Sequence, residues 1–291
     1  MPSPLKILII GGHSMVGKRL LDRLGPNFEV RTAGRHPEDD VWFDLLEEGL
    51  APELSQAAFD VVIHCAASFA DNSPEGFLLN QKTNAGGALQ VTRLLQAVGC
   101  NRLIYVSSIS IFDHPENQYY GSYGLSKRHA QEMLELYARF HHIRFTALML
   151  SQIYDDRGEA KKHQAFIYHL LEMARTNQEC VLWGHQSPLR NLLFIEDVTT
   201  LIEKVIEQDL VGSYVCAHPQ SPSILEIAKT AYEVFDHPPQ IRIDPTQPNP
   251  PSIFVPIDFS IYERLNYFPQ TDLKTGFLKY RQYVEGLKSC P

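Results

Sequence analysis

Short apolar runs recur through the first half of the chain, and each is followed by a helical repeat. Leu5 to Ile10 is nearly continuous in apolar residues, the pattern of a parallel strand covered on both faces. Leu20, Leu21 and Leu24 then recur at helical spacing. Phe28 to Thr32, Phe59 to Ala67, Arg102 to Ser107 and Phe145 to Leu150 read as further strands. Gln81 to Val98 and the stretch after Ser122 (Ala130, Met133, Leu134, Leu136, Tyr137, Phe140) read as helices. Strand and helix alternate with no hairpin signal between them, which predicts an α/β fold with a doubly wound parallel sheet.

From Asp155 the pattern loosens. A polar loop with Lys161 and Lys162 leads into a helix through Met173, a short strand falls near Val181, and Asn191 to Val198 starts another helix. Ser213 to Ala217 reads as a last strand returning to the sheet. Ser223 and Glu226 form a capping box before an amphipathic helix. Pro238 to Pro256 holds seven prolines and reads as an extended connector without regular structure. The tail, Asp258 to Lys288, carries two short helical patterns around Pro269. The expected organisation is a main domain of residues 1–154 and 191–220 and a smaller C-terminal lobe of residues 155–190 and 221–291.

Composition narrows the class. The chain has 291 residues, 44% hydrophobic and 21% charged, with a net charge of -8. That suits a globular protein with a large core. No basic run offsets the negative charge, which argues against a nucleic-acid or anionic-membrane partner. The apolar run before Gly11 is too short for an export leader or a membrane span. Cys65, Cys100, Cys180, Cys216 and Cys290 form no CxxC pair and no metal-ligand spacing. They read as ordinary thiols of a reducing cytoplasm, and no metal is expected.

Candidate chemistry gathers at the strand ends. Gly11-Gly12-His13-Ser14-Met15-Val16-Gly17 links the first strand to the first helix. In that context the helix N-terminus offers free N–H groups to a pyrophosphate, so Gly11, Gly12, Ser14, Met15, Val16 and Gly17 are candidate dinucleotide contacts. Ser14 replaces the middle glycine of the motif, and its hydroxyl can donate a hydrogen bond in compensation. A plain strand-to-helix turn is the bland alternative. Arg35, just past the second strand, suits the 2′-phosphate of NADP, where an acid would suit the ribose of NAD. Asp44 and Leu45 fall where an adenine edge would lie. Cys65, Ala66 and Ala67 are small enough for a cofactor to lie against the strand end. Gly86-Gly87 weakens its helix unless close packing uses it. Tyr123 and Lys127 are four apart on one predicted helix. An ammonium close to a phenol lowers the phenol's pKa from about 10 toward neutrality, which would make Tyr123 a general acid or base. The bland reading of that pair is a solvated helix face, and that of Ser107-Ser108 is a turn former.

In order and spacing these pieces resemble the extended short-chain dehydrogenase/reductase family, in its nucleotide-sugar epimerase, dehydratase and reductase branch. The matching pieces are the glycine turn, Asp60 to Ala67, Asn84, Tyr105 to Phe112, Tyr123 with Lys127, Tyr154, Arg190 to Val198, and Asp258 to Pro269. The resemblance implies a Rossmann domain with a substrate-binding lobe, and a hydride exchanged between a nicotinamide cofactor and a carbonyl or secondary alcohol. Tyr123 would be the acid/base, Ser108 would hold the same substrate oxygen, and Lys127 would poise the phenol and bond the nicotinamide ribose. Asn84 and Ser151 would contact cofactor, Ser151 and Ser108 substrate, and Arg190 a substrate phosphate. A structural tie for the lobe is the alternative for Arg190. Ile109 and Ser110 stand where dehydratases of the family carry an acidic pair, so dehydration is disfavoured. Phe112-Asp113, Met149-Leu150 and Asp155 also depart from the family pattern. The expectation is a homodimeric, cytoplasmic, NADP-dependent reductase or dehydrogenase, with NAD possible, acting on a nucleotide-linked sugar. An NAD-dependent 4-epimerase, a reductase of a non-nucleotide ketone, and a non-catalytic NADP-sensing or scaffold protein are the alternatives.

Overall fold

Ile7 to Ile10 are buried and lie at the centre of the sheet that the apolar pattern predicts. The computed structural model describes residues 3–47, 49, 54, 57–185 and 187–286. Its chain divides into two compact units, one running to Leu150 and taking in Thr199–Cys216, the other formed by Ser151–Val198 and the chain from Ala217.

The strands of the first unit are β1 (Lys6–Ile10), β2 (Glu29–Gly34), β3 (Val41–Trp42), β4 (Val61–His64), β5 (Arg102–Ser108), β6 (Arg144–Leu150) and β10 (Gly212–Cys216). They pair in the order β10-β6-β5-β4-β1-β2-β3, and every pairing is parallel. The order runs outward in both directions from β1, as a doubly wound sheet requires. A helix α1 (Met15–Leu24) follows β1, and Ser14 caps it by accepting from the Gly17 N–H at 3.0 Å. The second helical segment begins earlier than its apolar pattern suggests. Ser73 caps α2 (Pro74–Asn80), a π-helical turn spans Gln81–Gly86, and α3 (Gly87–Ala97) completes it. The helix α4 (Ser122–Phe140) buries Ala130, Leu134 and Ala138 in a core shared with Leu8, Val62, Leu103 and Tyr105. The two-residue β3 was not expected, being too short to carry a pattern.

The second unit has two small parallel sheets. In one, β7 (Gln152–Tyr154) pairs with β9 (Leu192–Phe194). In the other, β8 (Cys180–Trp183) pairs with β11 (Ile241–Asp244). These pairings correct the expected organisation. The first unit ends at Leu150 and not after Tyr154, and residues 191–198 and 217–220 belong to the second unit, because β7 leaves the central sheet to pair with β9. The proline-rich connector also contains a strand, since 241–244 lies between prolines and donates its ladder free of them. Asn191 to Val198 is first β9 and then the start of α6 (Ile195–Glu207). The helices wholly within this unit are α5 (Ala165–Arg175), α7 (Ile224–Val234), α8 (Ser260–Leu265) and α9 (Leu273–Gly286). The Ser223–Glu226 capping box forms on α7 as its sequence predicts. Among the described residues no helix is long and apolar enough to cross a membrane. Cys65, Cys100, Cys180 and Cys216 are buried free thiols, and Cys290 lies outside the described residues.

Candidate active site

Two glycines decide the shape of the turn after β1. Gly11 has φ +84, and a side chain there would meet the Ala66 backbone nitrogen at 2.7 Å; at Gly17 it would meet the Gly11 carbonyl oxygen at 2.2 Å. Without side chains, Gly11 and Gly17 let α1 start directly over the ends of β1 and β4, with Met15 and Val16 in its first turn. This bare cradle and the open helix N-terminus fit a dinucleotide pyrophosphate. The Cys65 and Ala66 N–H groups both donate to the Ile10 carbonyl, and this holds the small-residue loop that continues into Ala67 against the turn.

On the far side of the turn, Arg35 is exposed and its guanidinium lies 3.6 Å from the Asp44 carboxylate. Leu45 packs where a side chain on Gly87 would stand, 2.8 Å from it, so the helix glycine is used for close packing. Sequence reasoning did not foresee Asp39. Its carboxylate fills the space a side chain at Gly34 would take, 2.4 Å from that position. One oxygen accepts from the His36 N–H at 3.0 Å. The other is buried without a hydrogen bond among the described residues, 3.8 Å from His13 Nε2. The His13 and His36 rings stack at 3.9 Å, and with Glu38 they bring their ligand atoms within 4.8 Å of one another. Loop residues this close in space but spaced irregularly in sequence leave no motif to read.

At the ends of β4 and β5 the catalytic candidates come together. The Ser108 hydroxyl donates to Ser110 Oγ and accepts from the Ser110 N–H, both at 3.1 Å, which fixes its oxygen at the start of a short 3₁₀ turn. Burial pushes the Tyr123 phenol up to about 12, and the neighbouring Ser108 hydroxyl draws it partly back. Lys127 departs from expectation. Its Nζ donates to the Val106 carbonyl at 2.6 Å, and burial pulls its amine down to about 7, offset in part by Cys65. The expected lowering of the phenol by the ammonium is not seen: burial dominates at Tyr123, and the lysine stem reaches to the Val106 carbonyl on β5. His64 is pulled down to about 3 by burial and by Lys127, and Cys65 is pushed up to about 12 by burial, so both are neutral near pH 7.

Asn84 stands on the π-helical turn between α2 and α3. Its amide is committed within the protein: it accepts from the Ser68 N–H at 2.7 Å, donates to the Ser68 carbonyl at 2.9 Å and donates to Ser126 Oγ at 2.8 Å. Asn80, one turn earlier, repeats the arrangement with the Ala70 backbone and Ser122 Oγ. Together they bind the loop after Ala67 to α4 and set Phe69 edge-on to Tyr123, with ring centroids 4.6 Å apart. The repeat of Asn80 and Asn84 against Ser122 and Ser126, both pairs four apart, was the available signal.

The other two candidates belong to the second unit. Ser151 Oγ is buried without a hydrogen bond among the described residues. Arg190 is buried and donates to the carbonyls of Leu189 and Pro251, each at 2.8 Å. Both acceptors lie in the same unit as Arg190. Asp155, unusual for its position, accepts from the N–H groups of Arg157, Glu159 and Ala160 and also bonds Tyr168, so it anchors the loop before α5.

A parallel sheet opening into a bare glycine turn, with a serine, a tyrosine and a buried lysine at the ends of adjacent strands, is the architecture of the extended short-chain dehydrogenases/reductases. The sequence matches the NAD dependent epimerase/dehydratase family over residues 7–217, and the chain belongs to that family of enzymes. A putative UDP-glucose 4-epimerase of Methanocaldococcus jannaschii is 23% identical, over 96% of this chain and 98% of its own. UDP-glucuronic acid decarboxylase 1 of Arabidopsis thaliana is 23% identical, over 94% of this chain and 68% of its own. Among solved structures, the UDP-glucose 4-epimerase of Thermotoga maritima with UDP-glucose superposes with a TM-score of 0.80 at 17% identity, covering 98% of this chain and 100% of that one. The Bordetella bronchiseptica enzyme WbmG in complex with NAD gives 0.78 at 17% identity, covering 98% and 95%. At such identities the structures establish the fold.

Proposed function

We propose that the protein is an NADP-dependent oxidoreductase that transfers a hydride to or from a carbonyl or secondary alcohol of a nucleotide-linked sugar. The observation that supports this reading is Ser108 beside Tyr123, one helical turn before the buried Lys127, together with a glycine turn bare enough for a dinucleotide. The Gly11–Gly17 turn would hold the pyrophosphate, Arg35 the 2′-phosphate, and Lys127 the nicotinamide ribose. Asp44 and Leu45 would border the adenine. The bound nicotinamide supplies the hydride exchange. Tyr123 is protonated at neutral pH and is set to donate to a carbonyl oxygen, or, in the reverse direction, to take the proton of the alcohol. Ser108, fixed by Ser110, would orient that oxygen. Ser151 and Arg190 are assigned to substrate by family resemblance. The test is Tyr123→Phe, assayed with NADPH and a panel of keto-sugar nucleotides. Turnover should fall about 10³-fold while NADPH binding, followed by calorimetry, is kept; unchanged turnover overturns the reading.

A second reading, an NAD-dependent 4-epimerase, is favoured by Asp39, whose buried free oxygen at the end of β2 suits a ribose hydroxyl and opposes a phosphate. Nucleotide released from the purified protein by acid and identified by chromatography separates the two: tightly held NAD supports the epimerase, an empty protein that turns over NADPH the reductase. We infer a homodimer as well, from family resemblance and from Leu89 on α3 with Leu136 and Phe140 on α4, all exposed. Light scattering should give twice the chain mass, falling to the chain mass in Leu136→Glu. A reducing cytoplasm suits the buried thiols.

A further inference from the structure

The Lys127 ammonium is 2% exposed and has no carboxylate partner among the described residues. A buried cation in that position should shed its proton unless something specific favours the charge. The titratable groups that face it are His64 and Cys65 at the end of β4 and Tyr105 on β5. Near pH 7 none of them carries a negative charge: His64 is pulled down to about 3, Cys65 is pushed up to about 12, and burial holds Tyr105 well above the ordinary phenol value. Two contacts remain. One is the Val106 carbonyl at 2.6 Å. The other is the face of the Tyr105 ring, whose centroid lies 4.1 Å from Nζ. That distance is inside the range where the negative face of an aromatic ring attracts a cation, and the attraction is strongest when both partners are out of water. Tyr105 is 1% exposed and its hydroxyl donates to the Lys127 carbonyl at 3.5 Å, so one side chain touches both ends of the lysine.

We propose that Tyr105 is a positioning residue whose ring face holds the Lys127 ammonium charged and in place, one helical turn after the acid/base tyrosine. The proposal rests on the reading of Lys127 as part of the reacting group, and it adds the element that supplies the missing counter-charge. Its ring electrons do the work, not its hydroxyl, so Tyr105→Phe should preserve the effect and loss of ring electron density should abolish it.

The experiment places phenylalanine, then its mono-, di- and trifluoro analogues, at position 105 of the full chain. The Lys127 amine is followed by nuclear magnetic resonance of ¹³Cε-labelled lysine, its signal assigned by disappearance in Lys127→Met. Fluorination withdraws density from the ring face at nearly constant shape, so folding is preserved where Tyr105→Leu would leave a cavity. The expected result is a midpoint unchanged in Tyr105→Phe and lowered stepwise through the series, by about one unit at the trifluoro analogue. A midpoint that stays put through the series, in variants of unchanged melting temperature, overturns the proposal and leaves Tyr105 as packing alone. No substrate enters this titration. A stepwise shift in a protein that turns nothing over would keep Tyr105's hold on Lys127 and sink the catalytic reading instead.

Discussion

The two ends of strand β5 each hold a buried cation, and they treat it in opposite ways. At the N-terminal end Arg102 donates to the Val205 carbonyl at 2.7 Å and faces Asp209 at 3.0 Å, while Arg144 meets the same carboxylate. At the C-terminal end Lys127 has a carbonyl and a ring face and, among the described residues, no carboxylate. His64 Nδ1 beside it is buried without a hydrogen bond. Charges at the first end are matched because that end only has to be stable. Groups at the second are left short of partners, the state in which an added ligand has most to offer.

The contrast can be broken by substitution. The largest expected effect is at the unmatched end. Lys127→Met should lower turnover about 10²-fold and at the same time raise stability by roughly 2 kcal/mol at pH 7, because the desolvation cost of a buried amine, only partly offset by the Tyr105 ring face, is removed. Assay and denaturant unfolding on one preparation check both signs, and a destabilised, active variant would erase the contrast. Arg102→Ala should do the reverse, costing about 3 kcal/mol by stranding a network built around a buried guanidinium, with turnover per folded molecule unchanged. The smallest effect is a slope. His64 binds its proton only near pH 3 when folded and near 6.5 when unfolded, so the unfolded state holds more protons between those values. Stability should therefore fall as pH drops from 6.5 toward 3, by up to about 1.4 kcal/mol per unit. His64→Asn should flatten that limb in urea titrations. For Lys127 the folded value of about 7 lies below the unfolded 10.5. Its penalty is full below pH 7 and lifts as pH rises from 7 to 10.5, a gain that Lys127→Met should lack.

What could be read in advance follows the same division. The strands of the central sheet announce themselves because burial on both faces demands unbroken apolar runs, and the Gly11–Gly17 turn because no side chain fits there. Tyr123 and Lys127 were legible as neighbours on a helix, but not the direction of the lysine, which depends on the Val106 carbonyl and the Tyr105 ring on another strand. Asp39 and Asn80 escaped notice because each acts through a loop folded back on a distant element, which has no period. Strand β11 was hidden by its flanking prolines. Its backbone N–H groups are all present between them, so the composition of the segment misled where the register did not.

Asn80 and Asn84 give the tyrosine helix a mechanical property. Each amide grips the loop backbone on one side and a helix hydroxyl on the other, and the two rungs stand one helical turn apart. Sliding the loop along the helix by a single residue would unfasten both rungs at once, so intermediate alignments are closed to it. Phe69, edge-on to Tyr123, sits on the loop that these rungs fasten, so a displaced loop would break the ring contact that flanks the phenol.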